Sequence, residues 1–201
     1  MKIIETKHIW NGQLYKRNST KHIILHHRAG NGDVEGIHAQ HLSQGWTGIG
    51  YHFYVRKDGT VYAGRPLDVI GAHATNFNNN SIGICFEGNF DTEIMPQAQL
   101  QAGRELVAYV RGKYPNADVK GHGDYMTTAC PGRNFPFDKI INPVERKMLT
   151  EPNDIIWELI NGELKVPIDE VDRAVAALEK AKNEDSSLYW ILYKVVNKEE
   201  H

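Results

Sequence analysis

Three residues with metal-binding side chains occupy positions that a folded chain can bring together. His26 follows the apolar run Ile23–Leu25, and seven residues separate His122 from Cys130. Imidazole nitrogen and cysteine sulfur are ligands that Zn²⁺ prefers, and three protein ligands leave a fourth position for water, as in catalytic zinc sites. Two neutral imidazoles and one thiolate keep the ion acidic enough to lower the pKa of its bound water to about 7. These residue types therefore predict Zn²⁺ as a cofactor.

The same residues have an alternative interpretation without a metal. His26 then ends a core strand, His122 is a surface loop residue, and Cys130 packs as a small hydrophobic side chain. The spacing of His122 and Cys130 is too long for one helical turn, so both are expected on a loop, which the neighbouring glycines and Pro131 favour. Spacing alone does not decide between the two interpretations.

The elements that must position these residues follow from hydrophobic patterning. Alternating or continuous apolar runs predict strands, one Asp-Gly pair (Asp58-Gly59) predicts a hairpin, and apolar residues at helical spacing predict helices. Strands separated by helices indicate an α/β fold with a central mixed β-sheet flanked by helices. The predicted strands are 21–27, 51–56, 60–64 and 81–86, and the predicted helices are 33–44, with Asp33 as N-cap, and 96–114.

A change of composition divides the chain into two predicted domains, 1–142 and 143–201. Seventeen of the 18 glycines and nine of the ten histidines lie in the first part, which carries 15 basic and 12 acidic side chains. The second part carries 8 basic and 13 acidic side chains and helical patterning throughout, so it is expected to be a small all-α domain. Self-association through these helices is one interpretation, and packing that only adds stability is the other.

Composition excludes several classes of protein. A net charge of -2 gives no basic field for nucleic acid, and no apolar run approaches the roughly 18 residues of a membrane span. Two cysteines, Cys85 and Cys130, make a disulfide framework implausible. The first residues lack the apolar segment of a signal peptide, so a cytoplasmic location is expected.

Five sequence blocks stand in order along the first part of the chain: His26–Gly30, Gly45–Phe53, Gly71–Ala74, Asn80–Ile84, and Gly121-His122 with Thr127–Gly132. They resemble the zinc-dependent N-acetylmuramoyl-L-alanine amidases of type 2, a family that includes phage lysozymes and peptidoglycan recognition proteins. The resemblance covers about residues 20–140. The ordered set is far more specific than any single block and favours the metal interpretation.

The resemblance implies a metal set, a reaction and two further site residues. It places the zinc ligands on His26, His122 and Cys130, and the reaction on the amide between N-acetylmuramic acid and the L-alanine of the stem peptide. The family's tyrosine falls on Tyr51, and the residue two before the cysteine falls on Thr128. Because a tetrahedral oxyanion needs a hydrogen-bond donor besides the metal, the hydroxyls of Tyr51 and Thr128 are the catalytic candidates.

The general base is less well defined by the sequence. Cytoplasmic muropeptide amidases of this family place a glutamate where this chain has Cys85, and a thiol is a poor substitute for a carboxylate. Either Tyr51 acts together with zinc-bound water, which we favour, or Glu87, on the same strand face as Cys85, reaches the site.

Four further polar residues are predicted to line the substrate groove. His73 and Asn76 precede the strand 81–86, and Arg65 is a candidate partner for a stem-peptide carboxylate. His27 points away from His26 and either stacks on substrate or covers the sheet. Packing is the expected role of the remaining core histidines, and Trp46 is either a core residue or a sugar platform.

The leading functional hypothesis is a zinc amidase that hydrolyses bacterial peptidoglycan as a phage or prophage endolysin. Such an enzyme is expected to act on the cell wall only after release from the cytoplasm. Its segment 143–201 is then expected to target the cell wall or to self-associate. One alternative is a non-catalytic peptidoglycan-binding protein, but Cys130 argues against it because non-catalytic relatives lack the cysteine ligand. The other alternative is a cytoplasmic amidase that recycles soluble muropeptides, against which Cys85 and the appended helical segment argue.

Overall fold

The computed structural model describes residues 2–142. The predicted helical domain 143–201 lies outside the described residues and stays a prediction. Within residues 2–142, no helix is both long enough and apolar enough to cross a membrane. The elements are β1 (Ile3–Ile4), β2 (His22–His27), α1 (Val34–Ser43), β3 (Phe53–Val55), β4 (Val61–Ala63), β5 (Ser81–Phe86), α2 (Gln97–Lys113), β6 (Asp118–Gly121), a 3-10 turn (His122–Asp124) and α3 (Phe137–Ile141).

Six strands form one mixed sheet in the order β1-β4-β3-β5-β2-β6. The β3–β4 hairpin is antiparallel, and every other neighbouring pair is parallel. This confirms the predicted α/β fold with a central mixed sheet. Because β2, β5 and β6 run in the same direction, their carboxyl ends lie at one edge of the sheet, where parallel sheets commonly build their sites.

The two faces of the sheet carry separate apolar clusters. On one face α1 packs through Val34 and Ile37 against Tyr54 and Cys85. On the other face α2 packs through the fully buried Leu106 and its apolar neighbours. Residues paired in register across the sheet share a face, so His26, which pairs with Cys85, lies on the α1 face. The next residue along β2 must therefore face α2.

Local signals account for the ends of the elements. The Asp33 side chain accepts a hydrogen bond from Gly36 N at 2.8 Å, as expected of the predicted N-cap. In the hairpin, Gly59 takes a φ of 85°, and the Asp58 carboxylate accepts from Thr60 N. The strand predicted over 51–56 is observed over Phe53–Val55. Just before it, His52 N donates to Gly83 O and His52 O accepts from Gly64 N, so the chain approaches β3 already paired with its neighbours.

Candidate active site

His26, His122 and Cys130 lie together at the carboxyl edge of the sheet. One potential ligand atom from each falls within 4.8 Å of the others, and His26 Nδ1 is 3.8 Å from Cys130 Sγ. The sheet register explains the pairing of the two histidines. Gly121, the last residue of β6, pairs with Leu25, so the next residue along each strand is one of the two histidines. The structure thus brings together the three residues that the sequence singled out.

The loop that follows β6 carries Cys130 back to the strand end. Gly123 N donates to Cys130 O at 2.7 Å, and Cys130 N donates to Thr128 Oγ1 at 3.2 Å. A Cβ on Gly123 would lie 2.9 Å from Thr128 O and 3.1 Å from Cys130 O. The close approach therefore requires a glycine, and it holds the cysteine near both histidines.

The charge states of the three side chains fit a divalent cation such as Zn²⁺. Burial, followed by the nearby His122 and His27, lowers the pKa of His26 well below its ordinary value, and burial also lowers the pKa of His122. Both rings are therefore neutral and able to donate a lone pair. Burial raises the pKa of the Cys130 thiol to about 11, so the sulfur needs a cation beside it to ionise at neutral pH.

A buried nitrogen in the cluster also points to a ligand. His122 Nε2 is inaccessible to water and has no hydrogen-bond partner among the described residues. Buried polar atoms are nearly always paired, and a bound cation would satisfy this one. Zinc held at about 2.0–2.3 Å by nitrogen and sulfur keeps its ligands roughly 3.3–3.8 Å apart, so only a small closure of the cluster is required.

Behind the cluster, His26 contacts a second buried histidine. His26 Nε2 lies 3.0 Å from His73 Nδ1, and His73 Nε2 lies 3.3 Å from Ser81 Oγ. Burial, followed by the nearby histidines, lowers the pKa of His73 well below its ordinary value, so this ring is neutral. His73 therefore contacts a member of the cluster from behind, whereas the sequence placed it in the substrate groove.

Tyr51 lies beside the cluster and keeps its proton. Its ring centroid is 5.2 Å from that of His26. Burial, followed by the nearby sulfurs of Cys85 and Cys130, raises the pKa of the phenol well above its ordinary value. A protonated phenol is a hydrogen-bond donor and cannot act as a base, so the donor role expected of Tyr51 fits and the proton-accepting role does not.

Thr128 is exposed at the rim of the cluster, two residues before Cys130. Its Oγ1 accepts the backbone hydrogen bond of Cys130, which leaves its hydroxyl hydrogen available to a bound oxyanion. The structure therefore places the second predicted donor next to a candidate ligand.

The alternative base, Glu87, does not reach the cluster. Its carboxylate accepts hydrogen bonds from Gly32 N and Lys57 N and pairs with Arg56 at 3.3 Å. Burial opposes ionisation, but these hydrogen bonds outweigh it and lower the pKa of Glu87. Cys85 is fully buried, and burial raises the pKa of its thiol, so it remains protonated.

Two of the predicted substrate residues make structural contacts in the fold. Covering the sheet was one of the two roles expected of His27, and contact of either residue with substrate stays a prediction. His27 faces α2, where its Nδ1 accepts from Phe90 N at 3.2 Å. Arg65 is 5% exposed, and its guanidinium donates to Ile49 O, Ile70 O and Thr47 Oγ1 at 2.8–3.0 Å. Because all three nitrogens of the guanidinium already donate to these acceptors, few N–H groups remain to bind a stem-peptide carboxylate.

Asn76 lies on the surface in the loop before β5. Its φ of 68° is in the left-handed region, which asparagine tolerates better than most residues, so its backbone conformation alone accounts for the residue type. Its contact with substrate stays a prediction.

The remaining core histidines act as backbone acceptors, as their expected packing role suggested. His38 Nδ1 accepts from Ile49 N, His41 Nδ1 from Gly50 N, and His52 Nδ1 from Gly83 N. Trp46 is 41% exposed and its ring contacts that of His41 at a tilted angle, so it belongs to the surface and not to the core.

Sequence reasoning missed two residues near the cluster. Ser81 is a polar residue at the start of a strand that is otherwise apolar, and a buried hydroxyl in such a place requires a partner, which here is His73. Arg28 follows His26 by two residues and so shares its strand face, close enough to oppose the pKa rise of Tyr51. The alternation of side chains along β2 could have identified Arg28 as a residue on the same face as His26.

Known proteins resemble this chain in sequence and in fold. Residues 16–133 match the family model described as N-acetylmuramoyl-L-alanine amidase. The endolysin of Klebsiella phage KP32 is 38% identical over 128 residues, covering 59% of this chain and 85% of its own. Peptidoglycan-recognition protein SC2 of Drosophila melanogaster is 40% identical over 131 residues, covering 59% of this chain and 71% of its own. The solved structure of N-acetylmuramoyl-L-alanine amidase LysC from Clostridium intestinale URNW superposes with a TM-score of 0.68 and 41% identity, covering 70% of this chain and 95% of that one.

Proposed function

The chain belongs to the N-acetylmuramoyl-L-alanine amidase family and is an amidase of that class, and we propose that it hydrolyses peptidoglycan in a zinc-dependent reaction as an endolysin. The bond cut is the amide between the lactyl group of N-acetylmuramic acid and L-alanine. The observation that carries the proposal is the cluster of His26, His122 and Cys130, whose ligand atoms lie within 4.8 Å of one another. When bound there, zinc supplies a Lewis acid for the amide carbonyl and an acidic water as nucleophile.

The protein's own residues hold and orient the reacting groups. The neutral rings of His26 and His122 and the sulfur of Cys130 form three sides of the site and leave the outer side for substrate and water. Tyr51 O–H donates a hydrogen bond to the oxygen that becomes negatively charged, and Thr128 O–H is the second donor from the rim. A single donor of this kind is typically worth about 10²–10³ in rate.

The proposed lysis of the cell wall is supported by the names of similar proteins. Proteins similar to this chain include phage endolysins and an amidase named from Clostridium intestinale. The binding-only alternative is disfavoured because Cys130, the sulfur that completes the metal set, is present. The recycling alternative is disfavoured because a buried, protonated thiol stands at residue 85, and no carboxylate of Glu87 replaces it.

The decisive experiment measures amide hydrolysis and metal dependence together. Purified cell walls are digested, new L-alanine amino termini are counted, and mass spectrometry identifies the bond cut. We expect activity in the zinc-loaded enzyme, loss on chelation with recovery on adding Zn²⁺, and loss in His26→Ala. His38→Ala, which removes a buried histidine that bonds only backbone groups, is the matched control and is expected to remain active.

Three outcomes would contradict parts of the proposal. Activity that survives both chelation and His26→Ala would end the metal dependence. Wall binding without turnover in zinc-supplemented protein would favour the binding-only alternative. Faster cleavage of soluble anhydro-muropeptides than of intact sacculi would favour recycling.

For residues 143–201 we keep the prediction of a wall-targeting or self-associating segment. Deletion of this segment is expected to reduce wall binding or oligomer size more than turnover of soluble fragments. Unchanged values of all three would leave only a stabilising role.

A further inference from the structure

A buried chain of hydrogen bonds runs from the metal cluster into the sheet. It passes from His26 Nε2 to His73 Nδ1 at 3.0 Å, and from His73 Nε2 to Ser81 Oγ at 3.3 Å. We propose that His73, backed by Ser81, is a positioning residue that fixes the tautomer and the ring orientation with which His26 presents Nδ1 to the metal. The inference rests on the zinc dependence proposed above.

The direction of the hydrogen bonds follows from the ligand atom. His26 Nδ1 lies on the cluster side, 3.8 Å from Cys130 Sγ, and a nitrogen that binds a cation carries no proton. The proton of the neutral ring is then on Nε2, which donates to His73 Nδ1. His73 must carry its own proton on Nε2, which donates to Ser81 Oγ. One tautomer of each ring satisfies the whole chain.

Burial makes this chain effective. His26, His73 and Ser81 are 1%, 9% and 0% exposed, so water does not compete for their hydrogen bonds. A ligand histidine commonly donates its other ring nitrogen to a carboxylate or carbonyl, and this partner raises the basicity of the ligand. Here a neutral imidazole takes that place, which orients His26 without adding a negative charge to the site.

The surroundings of His73 form a cradle shaped to one ring position. A Cβ on Gly83 or on Gly71 would lie 2.5 Å from the His73 ring, so both positions exclude a side chain. Asn78 Oδ1 accepts from His73 N and Ala74 N, each at 2.8 Å, and anchors the loop that carries the ring. Because these contacts fix the ring of His73, that ring can in turn fix the orientation of His26.

The main test measures zinc affinity by competition with a chromophoric chelator, together with the visible spectrum of the cobalt-substituted protein. His73→Phe removes the acceptor and is expected to weaken zinc affinity by roughly 10–100-fold and to change the cobalt spectrum. His73→Asn retains an acceptor near the Nδ1 position and should recover part of the affinity. Ser81→Ala should give a smaller loss in the same direction.

The matched control is His38→Gln, at a buried histidine whose two ring nitrogens bond Ile49 N and Ile9 O and do not contact His26. It is expected to lower stability and leave zinc affinity unchanged. Folded His73→Phe with the affinity and cobalt spectrum of the wild type would overturn the positioning role. If the wild type itself binds no zinc, the proposed function fails first.

A measurement on the unmutated protein avoids the risk that a variant does not fold. Long-range ¹H–¹⁵N spectra of the zinc-loaded protein should show His26 protonated at Nε2 and His73 protonated at Nε2 with an unprotonated Nδ1. Protonation of His73 at Nδ1, or binding of zinc through His26 Nε2, would overturn the proposal.

Discussion

Tyr51 lies beside the cluster of His26, His122 and Cys130, and its burial decides whether its hydroxyl can donate or accept a proton. A phenol in water loses its proton near pH 10, but burial and two nearby sulfurs push the pKa of Tyr51 well above that value. The proton therefore stays on the oxygen throughout the working pH range. Burial likewise keeps Cys85 a thiol. Glu87 behaves in the opposite way, because hydrogen bonds and the ion pair with Arg56 lower its pKa at a place away from the cluster.

Tyr51→Phe tests the donor role of the hydroxyl. The substitution removes one hydrogen bond to the oxyanion, so we expect kcat to fall by about 10²–10³ while zinc affinity is unchanged. The measurement is steady-state hydrolysis of a defined muropeptide with zinc titration in parallel. Tyr54→Phe is the control, because its hydroxyl donates to Gly32 O at 2.7 Å on the same sheet face. Wild-type kcat in Tyr51→Phe would assign the oxyanion to other donors.

Among the elements, the loop after β6 has the most exacting geometry. It leaves the sheet at Gly121, turns through His122–Asp124, and returns so that Cys130 O accepts from Gly123 N. The register of β6 against β2 fixes one end of the loop, and this hydrogen bond fixes the other. The cluster of His26, His122 and Cys130 is thus a consequence of strand pairing and of one close backbone contact.

Gly123→Ala is expected to distort this loop. The added Cβ meets two backbone carbonyl oxygens at 2.9 and 3.1 Å, and backbone cannot move aside as a flexible side chain can. We expect weaker zinc binding and a fall in kcat of about 10–100-fold, since small displacements of reacting groups are costly. Zinc titration and wall hydrolysis measure both.

A second glycine provides the matched control for that change. Gly112 lies in α2, and a Cβ there would meet nothing within 4 Å. Gly112→Ala should raise the free energy of unfolding by about 0.4–1 kcal/mol and leave activity intact. Equal effects at the two positions would contradict the role of the close contact.

For the molecule as a whole, neutral histidines are part of the fold. His27, His41 and His52 each accept a backbone N–H at Nδ1. Protonation would place an N–H against another N–H and break the hydrogen bond. Burial first, and nearby cations next, lower the pKa of His41 to about 4 and of His52 to about 3. The folded state therefore resists protonation that the unfolded chain accepts near pH 6.5.

Acid should destabilise the protein for this reason. A histidine whose pKa is lower in the folded state contributes stability that is present above about pH 6.5 and is lost as pH falls. His52 alone lowers the free energy of unfolding by up to about 1.4 kcal/mol for each pH unit below about pH 6.5. Arg17 Nη1, 3.1 Å from His52 Nε2, and the nearby Arg65 face this ring and add to the effect, whereas the hydrogen bond to Val69 O opposes it. The ring of His73 also faces His52 but is neutral.

Urea unfolding at pH 8, 7, 6 and 5 measures this dependence. His52→Gln removes the titrating group, so its stability should fall less steeply between pH 6.5 and 5 than that of the wild type. The comparison of slopes cancels any loss of metal that both proteins share. Parallel slopes would show that His52 titrates alike in both states.

Local patterning was sufficient to predict the elements. The alternating or continuous apolar runs of β2 and β5, the Asp-Gly hairpin and the N-cap Asp33 each depend on neighbours in sequence, and all of them agree with the structure. Strand alternation also predicted that only one residue of the pair His26 and His27 faces the cluster. The shorter observed span of β3 was missed because the ends of a strand depend on pairing, and β3 pairs with β5, which is distant in sequence.

By itself, the sequence determined the α/β fold with its mixed sheet, the family, and the choice of His26, His122 and Cys130 as the residues able to bind a metal. Only the tertiary structure decided the environment of each remaining polar group. It buried Arg65 among oxygen acceptors of the loops, gave His27 the backbone N–H of Phe90 as its partner, and placed His73 behind His26. The physical reason is that pKa values and hydrogen-bond partners depend on burial and on contacts between distant segments, whereas helix and strand patterns depend on neighbours along the chain.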